Sequence, residues 1–174
     1  MIVPMSEAKN SVCFIGMSGI GKSYFGKLVA ERLGVPFIDT DDLIEQRITT
    51  SLKEFLSDKG EEAFKALEED CILRINFNQR KVVATGGSVV YSETSMAYLK
   101  KHCKLLFLND SLQNIQSRIE NYSNRAIIMN GESTFDAVYT QRLDLYKKYA
   151  DKHIDYPSPF SINAILDSIL KQLT

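Results

Sequence analysis

The chain has 174 residues, 44% of them hydrophobic and 25% charged, which suits a globular protein with a real core and excludes a disordered or collagen-like one. Lysine and arginine number 21 against 22 acidic residues, so a net charge of −1 offers nothing to the polyanionic backbone of a nucleic acid. No apolar run approaches the roughly 20 residues that span a bilayer, residues 1–10 lack the make-up of a signal peptide, and Cys13, Cys71 and Cys103 are too few and too scattered for a disulfide framework or a metal-binding CxxC pair.

Residues 11–16 form the first apolar run and read as a buried parallel strand. The run leads directly into Gly16-Met17-Ser18-Gly19-Ile20-Gly21-Lys22-Ser23, a G-x-x-x-x-G-K-[ST] sequence, and residues 22–33 continue with an apolar stripe at helical spacing. A strand, a glycine-rich loop and a helix in that order make a phosphate-binding loop. Gly16, Gly19 and Gly21 let the backbone N–H groups around Ser18 and Ile20 point into one concavity, which the helix N-terminus makes more positive. Lys22 is then placed to reach the β- and γ-phosphate oxygens and Ser23 to ligate magnesium, with Tyr24 beside them at the nucleotide.

A second strand, residues 36–39, ends in Asp39-Thr40-Asp41. Two carboxylates at the C-terminal edge of a strand lie where open α/β sheets bind ligands, and alternation along an extended chain puts both on one side. One can hold the hydration shell of magnesium while the other orients or deprotonates an attacking hydroxyl; the plainer reading is an aspartate capping a helix. Residues 40–60 are irregular, with short helical patterns at 42–48 and 52–57, as in an insert that caps a ligand site. A helix follows at 61–77, and a third strand at 81–85 ends in Thr85-Gly86-Gly87 where a GTPase or motor-type ATPase has its magnesium-organising aspartate. No N-K-x-D stretch for guanine is present either.

Beyond it come a helix at 92–101, a strand at 104–108, a helix at 112–121, a polar stretch at 122–133 that reads as a mobile lid, a helix at 134–149, a weak strand at 153–155 and a helix at 162–173. The alternation predicts one α/β domain over residues 1–174, with a mainly parallel five-stranded sheet flanked by helices. His102 and His153 have no partners at metal-ligand spacing. The three cysteines read as small buried apolar residues, and Tyr139, Tyr146 and Tyr149 as packing residues.

These motifs resemble the shikimate kinases, small P-loop kinases of the nucleoside-monophosphate-kinase-like group. The resemblance covers most of the chain. It rests on residues 16–23, on Asp39-Thr40-Asp41 followed by Ile44-Glu45-Gln46-Arg47, on Gly60-Glu61 through Phe64 to Glu68-Glu69, on Thr85-Gly86-Gly87, and on Arg118, Arg125 and Arg142. It implies a P-loop kinase fold with a lid at about 122–133 and an acceptor-binding insert at about 40–76, using ATP and magnesium. It further implies that Asp39 supports the metal, Asp41 binds the acceptor hydroxyls as the base, and Gly86 and Gly87 offer backbone contacts to the acceptor. Arg118 looks like the family's adenine-stacking residue, Arg125 like its lid arginine over the phosphates, and Arg142 like its arginine for the acceptor carboxylate. Each of the three also has a plain reading as a solvated surface cation. Glu68 would orient Lys65 or an acceptor hydroxyl.

The chain departs from the family pattern in three places. Lys65 stands after Phe64 where the family has an arginine that grips the acceptor carboxylate, which replaces a two-pronged donor by a point charge. Ser88 replaces a third glycine, and the lid reads Arg125-Ala126-Ile127-Ile128 in place of Arg-Pro-Leu-Leu. The sequence reading is therefore a cytoplasmic, ATP- and magnesium-dependent kinase of the shikimate pathway, acting on a small carboxylated alcohol. It would work as a monomer or weak homo-oligomer, without nucleic acid or membrane partners. A kinase for another hydroxy acid and a nucleotide-binding regulator without turnover are the rivals.

Overall fold

The computed structural model describes residues 10–120 and 126–173. Five strands form one sheet in the order β2-β3-β1-β4-β5, and every neighbouring pair is parallel. In the centre lies β1 (Ser11–Ile15), whose five residues are all buried, between β3 (Val82–Ala84) and β4 (Cys103–Asn109). Short continuous apolar runs are what strands covered on both faces require. The edge strands β2 (Phe37–Asp39) and β5 (Lys152–Asp155) are less covered, and β5 buries only Ile154, which is why its sequence signal was weak.

The helices are α1 (Lys22–Leu33), α2 (Thr40–Glu45), α3 (Leu52–Leu73), α4 (Glu93–His102), α5 (Leu112–Glu120), α6 (Phe135–Tyr149) and α7 (Ile162–Lys171), with a 3-10 turn at Val89–Tyr91. Side chains cap several of them: Ser51 forms a reciprocal capping box with Glu54, and Ser92, Thr134 and Ser161 each accept a bond from a first-turn amide. Several expected boundaries moved, the pattern at 42–48 among them, since α2 runs Thr40–Glu45. The separate patterns at 52–57 and 61–77 are joined in α3, broken only at Gly60, whose backbone is non-helical (φ 82°, ψ 173°). That helix stops at Leu73 because Ile75 turns into the core and its carbonyl accepts a bond from the Tyr98 hydroxyl at 2.7 Å.

The main core runs along both sides of β1 and β4 and includes Phe14, Ile15, Val83, Leu106 and Phe107, with Cys13 and Cys103 among its small buried residues. Each large apolar side chain buried in this way contributes about 1.5–3 kcal/mol. A second cluster, Ile44, Phe64, Cys71 and Ile128, ties α2, α3 and residues 126–129 together beside the sheet. His102 stacks flat on Phe77 at 4.9 Å, so this histidine is a packing residue.

Strand register positions the site. Phe14 of β1 and Asp39 of β2 both pair with Ala84 of β3, so these three strands end level with one another. Gly16, the residues after Asp39, and Thr85-Gly86-Gly87 consequently leave the sheet on one edge. The Thr85 hydroxyl donates to the Phe14 carbonyl at 3.1 Å and the Gly86 amide donates to the Thr40 hydroxyl at 3.1 Å, which locks the three exits together.

Gly16 (φ 145°) takes the first turn out of β1, and a Cβ there would sit 2.6 Å from the backbone oxygen of Leu108. Gly16→Ala is expected to cost about 1–3 kcal/mol through backbone strain and collision. Urea unfolding of the purified variant against the parent protein measures that difference.

Candidate active site

The phosphate-binding loop closes on itself through its lysine. Lys22 is 6% exposed, and its Nζ donates to the carbonyls of Gly16 and Met17, both at 2.8 Å. A buried ammonium needs such partners because its charge has lost water. Gly21 adopts φ 102° at the N-cap of α1, which aims the first free amides of the helix at the loop's concavity.

Ser23 and Asp39 meet at the loop's mouth, with the Ser23 hydroxyl donating to Asp39 Oδ2 at 2.5 Å. The other oxygen, Oδ1, accepts from the Asp41 amide at 3.0 Å, so Asp39 is also the N-cap of α2. The capping reading of Asp39 therefore holds, and its other oxygen remains turned to Ser23 at the loop mouth. The expectation that Asp39 and Asp41 alternate along a strand does not hold, because Asp41 already lies in the first turn of α2. The cap turns the chain so that both carboxylates still face one cavity.

That cavity has two connected halves. One, of about 420 Å³, is lined by the loop residues Ser18, Gly19, Gly21, Lys22, Ser23 and Tyr24 together with Arg118. The other, of about 290 Å³, is lined by Asp39, Asp41, Asp42, Glu45, Phe64 and Ala126. Ser18, Ser23, Asp41, Gly86 and Gly87 belong to both walls. Ile20 is buried under the loop, and its carbonyl accepts from the Tyr156 hydroxyl at 2.5 Å.

Arg118 is no free surface cation. Its guanidinium pairs with Asp110 at 2.7 Å and lies over the rings of Tyr156 (5.6 Å) and Phe160 (5.2 Å), beside the loop at Gly19. One nitrogen of Arg118, Nη1, is buried without a partner. Asp110, Tyr156 and Phe160 were missed in the sequence, although the first two directly follow strand ends, the edge where ligands gather.

Arg142 is likewise buried, at 1% exposure, and not a helix-surface residue. Its Nε donates to the Tyr91 hydroxyl at 3.1 Å, its Nη2 to the Ile128 carbonyl, and the guanidinium lies 5.1 Å from the Tyr91 ring. Nη1 lies 2.9 Å from where a Cβ on Gly87 would be, so only glycine there lets the cation reach the cavity wall. No carboxylate of a described residue forms an ion pair with Arg142. Tyr146, one turn on, donates to the Gly87 carbonyl at 2.6 Å, and burial pushes its phenol well above the usual range.

Glu68 is buried at 3% exposure against this cluster. Burial and the nearby Asp41 charge push its carboxyl up to about 7, while the Ser88 hydroxyl, Arg142 and Lys22 pull the other way. Ser88, in place of the family's third glycine, points at Glu68 Oε2, to which it donates at 2.8 Å. Lys65 does not pair with Glu68. Its Nζ goes to Glu62 at 2.5 Å and to Asn130 at 3.2 Å, one residue beyond the cavity-lining Phe64.

Arg125 lies outside the described residues. Of the expected lid, residues 126–133 are described, and they are tethered: Glu61 accepts from the amides of Met129 (2.6 Å) and Asn130 (2.9 Å), and Ile128 is buried.

A family model described as shikimate kinase matches residues 18–174. A shikimate kinase of Thermodesulfovibrio yellowstonii is 37% identical over 147 residues, 83% of this chain and 84% of its own, and one from Clostridium botulinum strain Eklund 17B is 34% identical over 144 residues, covering 83% and 86%. Among solved structures, a shikimate kinase from Acinetobacter baumannii in complex with shikimate superposes with a TM-score of 0.81 at 24% identity, covering 96% of this chain and 92% of the other.

Arg142→Met should remove the two hydrogen bonds that tie α6 to Tyr91 and Ile128, at a cost of roughly 1.5–3 kcal/mol. Urea unfolding reads the loss. Limited proteolysis should speed up around residues 126–130 in the same variant, because the Ile128 carbonyl has lost its anchor.

Proposed function

The chain belongs to the shikimate kinase family, and we propose that it carries out that family's reaction, moving the γ-phosphoryl group of ATP to a hydroxyl of shikimate. The observation that carries this reading is the shared wall: a phosphate loop and a carboxylate-bearing acceptor cavity have Ser18, Ser23, Asp41, Gly86 and Gly87 in common. A donor and an acceptor bound in the two halves meet there, which turns a bimolecular encounter into an in-line transfer between positioned groups.

Lys22 would exchange the Gly16 and Met17 carbonyls for phosphate oxygens and follow the negative charge onto the transferring group. The amides of Gly19, Ile20 and Gly21 cradle the β-phosphate, and Tyr24 borders that half of the cavity. The guanidinium of Arg118, already stacked on Tyr156 and Phe160, offers a flat surface to adenine. Arg125 is assigned to the phosphates by the family resemblance.

The hard oxygen donors of Ser23 and Asp39, in contact at the loop mouth, fit a magnesium ion that takes its other ligands from water and phosphate. Bound there, magnesium would neutralise charge on the phosphates. On the acceptor side Asp41 takes the hydroxyl proton as the new O–P bond forms and the bond to ADP breaks. Arg142 has a full positive charge, almost no water and no carboxylate ion pair among the described residues, so an acceptor that brings its own carboxylate to Gly87 is favoured. Lys65 adds positive potential at the rim of the same cavity.

An ADP-release assay with shikimate, quinate and gluconate tests the assignment, with shikimate expected as the preferred acceptor; turnover of another hydroxy acid alone would reject it. Lys22→Ala should lower kcat about 10²- to 10³-fold without unfolding the protein. Asp41→Asn should lower kcat about 10²- to 10⁴-fold while ATP still binds, as followed by calorimetric titration.

A further inference from the structure

The Gly86-Gly87-Ser88 turn is clipped to α3 by one side-chain bond, Ser88 Oγ to Glu68 Oε2 at 2.8 Å, with both partners buried. The second oxygen of that carboxylate, Oε1, is buried and has no hydrogen-bond partner. An unpaired buried carboxylate oxygen is costly, and native structures keep few of them. Its place is specific. Oε1 lies 2.5 Å from where a Cβ on Gly86 would sit, and Asp41 Oδ1 lies 3.2 Å from the same point. Gly86 and Asp41 both line the acceptor cavity, whereas Glu68 does not, so Oε1 sits just behind the cavity wall at Gly86.

We propose that Ser88 is a positioning residue for the acceptor: its hydroxyl holds Oε2 of Glu68 so that Oε1 stays at Gly86 beside Asp41 and accepts a hydrogen bond from a second hydroxyl of a bound polyol. The inference deepens the kinase reading of the same site and rests on it. Asp41 then handles the reacting hydroxyl and Glu68 a neighbouring one, so the pair selects a diol over a simple alcohol. Lys65, held by Glu62 and Asn130, takes no part in fixing Glu68.

The groups that face Glu68 are Asp41 from α2, Lys22 from α1, Arg142 and Tyr146 from α6, and Cys71 on its own helix. With its carboxyl pushed up to about 7, Glu68 becomes a full acceptor only as the pH rises through neutrality. The Ser88 bond favours the ionised form. Removing the hydroxyl therefore moves the titration to higher pH.

The test uses wild type, Ser88→Ala, Glu68→Gln and the double variant, with kcat and KM measured across pH on the acceptor that the panel assay identifies and on its mono-deoxy analogues. Ser88→Ala should raise the acceptor KM about tenfold at pH 7, leave the ATP KM within about twofold, and shift the acid limb of acceptor kcat/KM upward. Glu68→Gln should abolish that limb. Ser88→Ala should then add nothing in the Glu68→Gln background, and one deoxy analogue should lose about tenfold with wild type but not with Glu68→Gln.

Additive effects of the two substitutions, an unmoved acid limb, or an equal penalty for that analogue in both proteins would overturn the proposal. If Ser88→Ala folds poorly, Ser88→Thr restores the hydroxyl and must restore the limb. Preference for a polyol other than shikimate would reject only the substrate assignment, whereas turnover of none would reject both.

Discussion

Level strand ends are the constraint on which the rest of this molecule depends. Because Phe14 and Asp39 both pair with Ala84, three chain segments leave the sheet side by side, and each brings a different chemistry to one edge. One brings the phosphate loop, one a pair of aspartates, and one two glycines. A slip of a single residue in either pairing would turn every side chain of that strand to the opposite face and pull the exits apart. The hydrogen bonds of Thr85 to Phe14 and of Gly86 to Thr40 act against such a slip, since each spans two of the three exits.

Around that edge several of the charges are buried. Lys22 and Arg142 supply two buried cations, and the buried Glu68 carboxyl feels both of them as well as Asp41. Buried ions are held by partners or by each other, because burial alone would neutralise them. The bonds of these cations include ones to carbonyls and to a tyrosine hydroxyl. Those bonds hold the two cations in place beside the site. Glycine is needed at Gly86 and Gly87 because a Cβ at either position would collide with Glu68 or Arg142.

The departures from the family pattern at Lys65 and Ser88 look independent in the sequence and have separate partners in space. Lys65 binds Glu62 and Asn130, and the Ser88 hydroxyl holds the carboxylate that Lys65 leaves alone. A serine in place of the third glycine therefore does not block the acceptor side, because its side chain turns toward α3. Lys65 is drawn to Glu62 because the two lie three residues apart on one helix, where opposite charges meet readily.

Local rules settled much of this protein. The strand, loop and helix at residues 11–33, the alternation that makes a parallel α/β sheet, and the aspartates after β2 were legible because each depends on periodicity, glycine placement or capping within a window of a few residues. Helix ends were less so: the stop at Leu73 depends on Tyr98, which lies in another helix. The partners within the site were not legible at all. Ser88 finds Glu68 across 20 residues, Arg142 finds Tyr91 across 51, and Tyr156 reaches Ile20 across 136. Residue types alone left the surface-cation reading of Arg118 and Arg142 open beside the ligand-contact one, and only packing buried one and stacked the other on aromatic rings. A short stretch of chain determines its own backbone through sterics and hydrogen bonds to near neighbours, but which side chains share a desolvated charge is decided by which strand ends and helix faces the whole fold brings into contact.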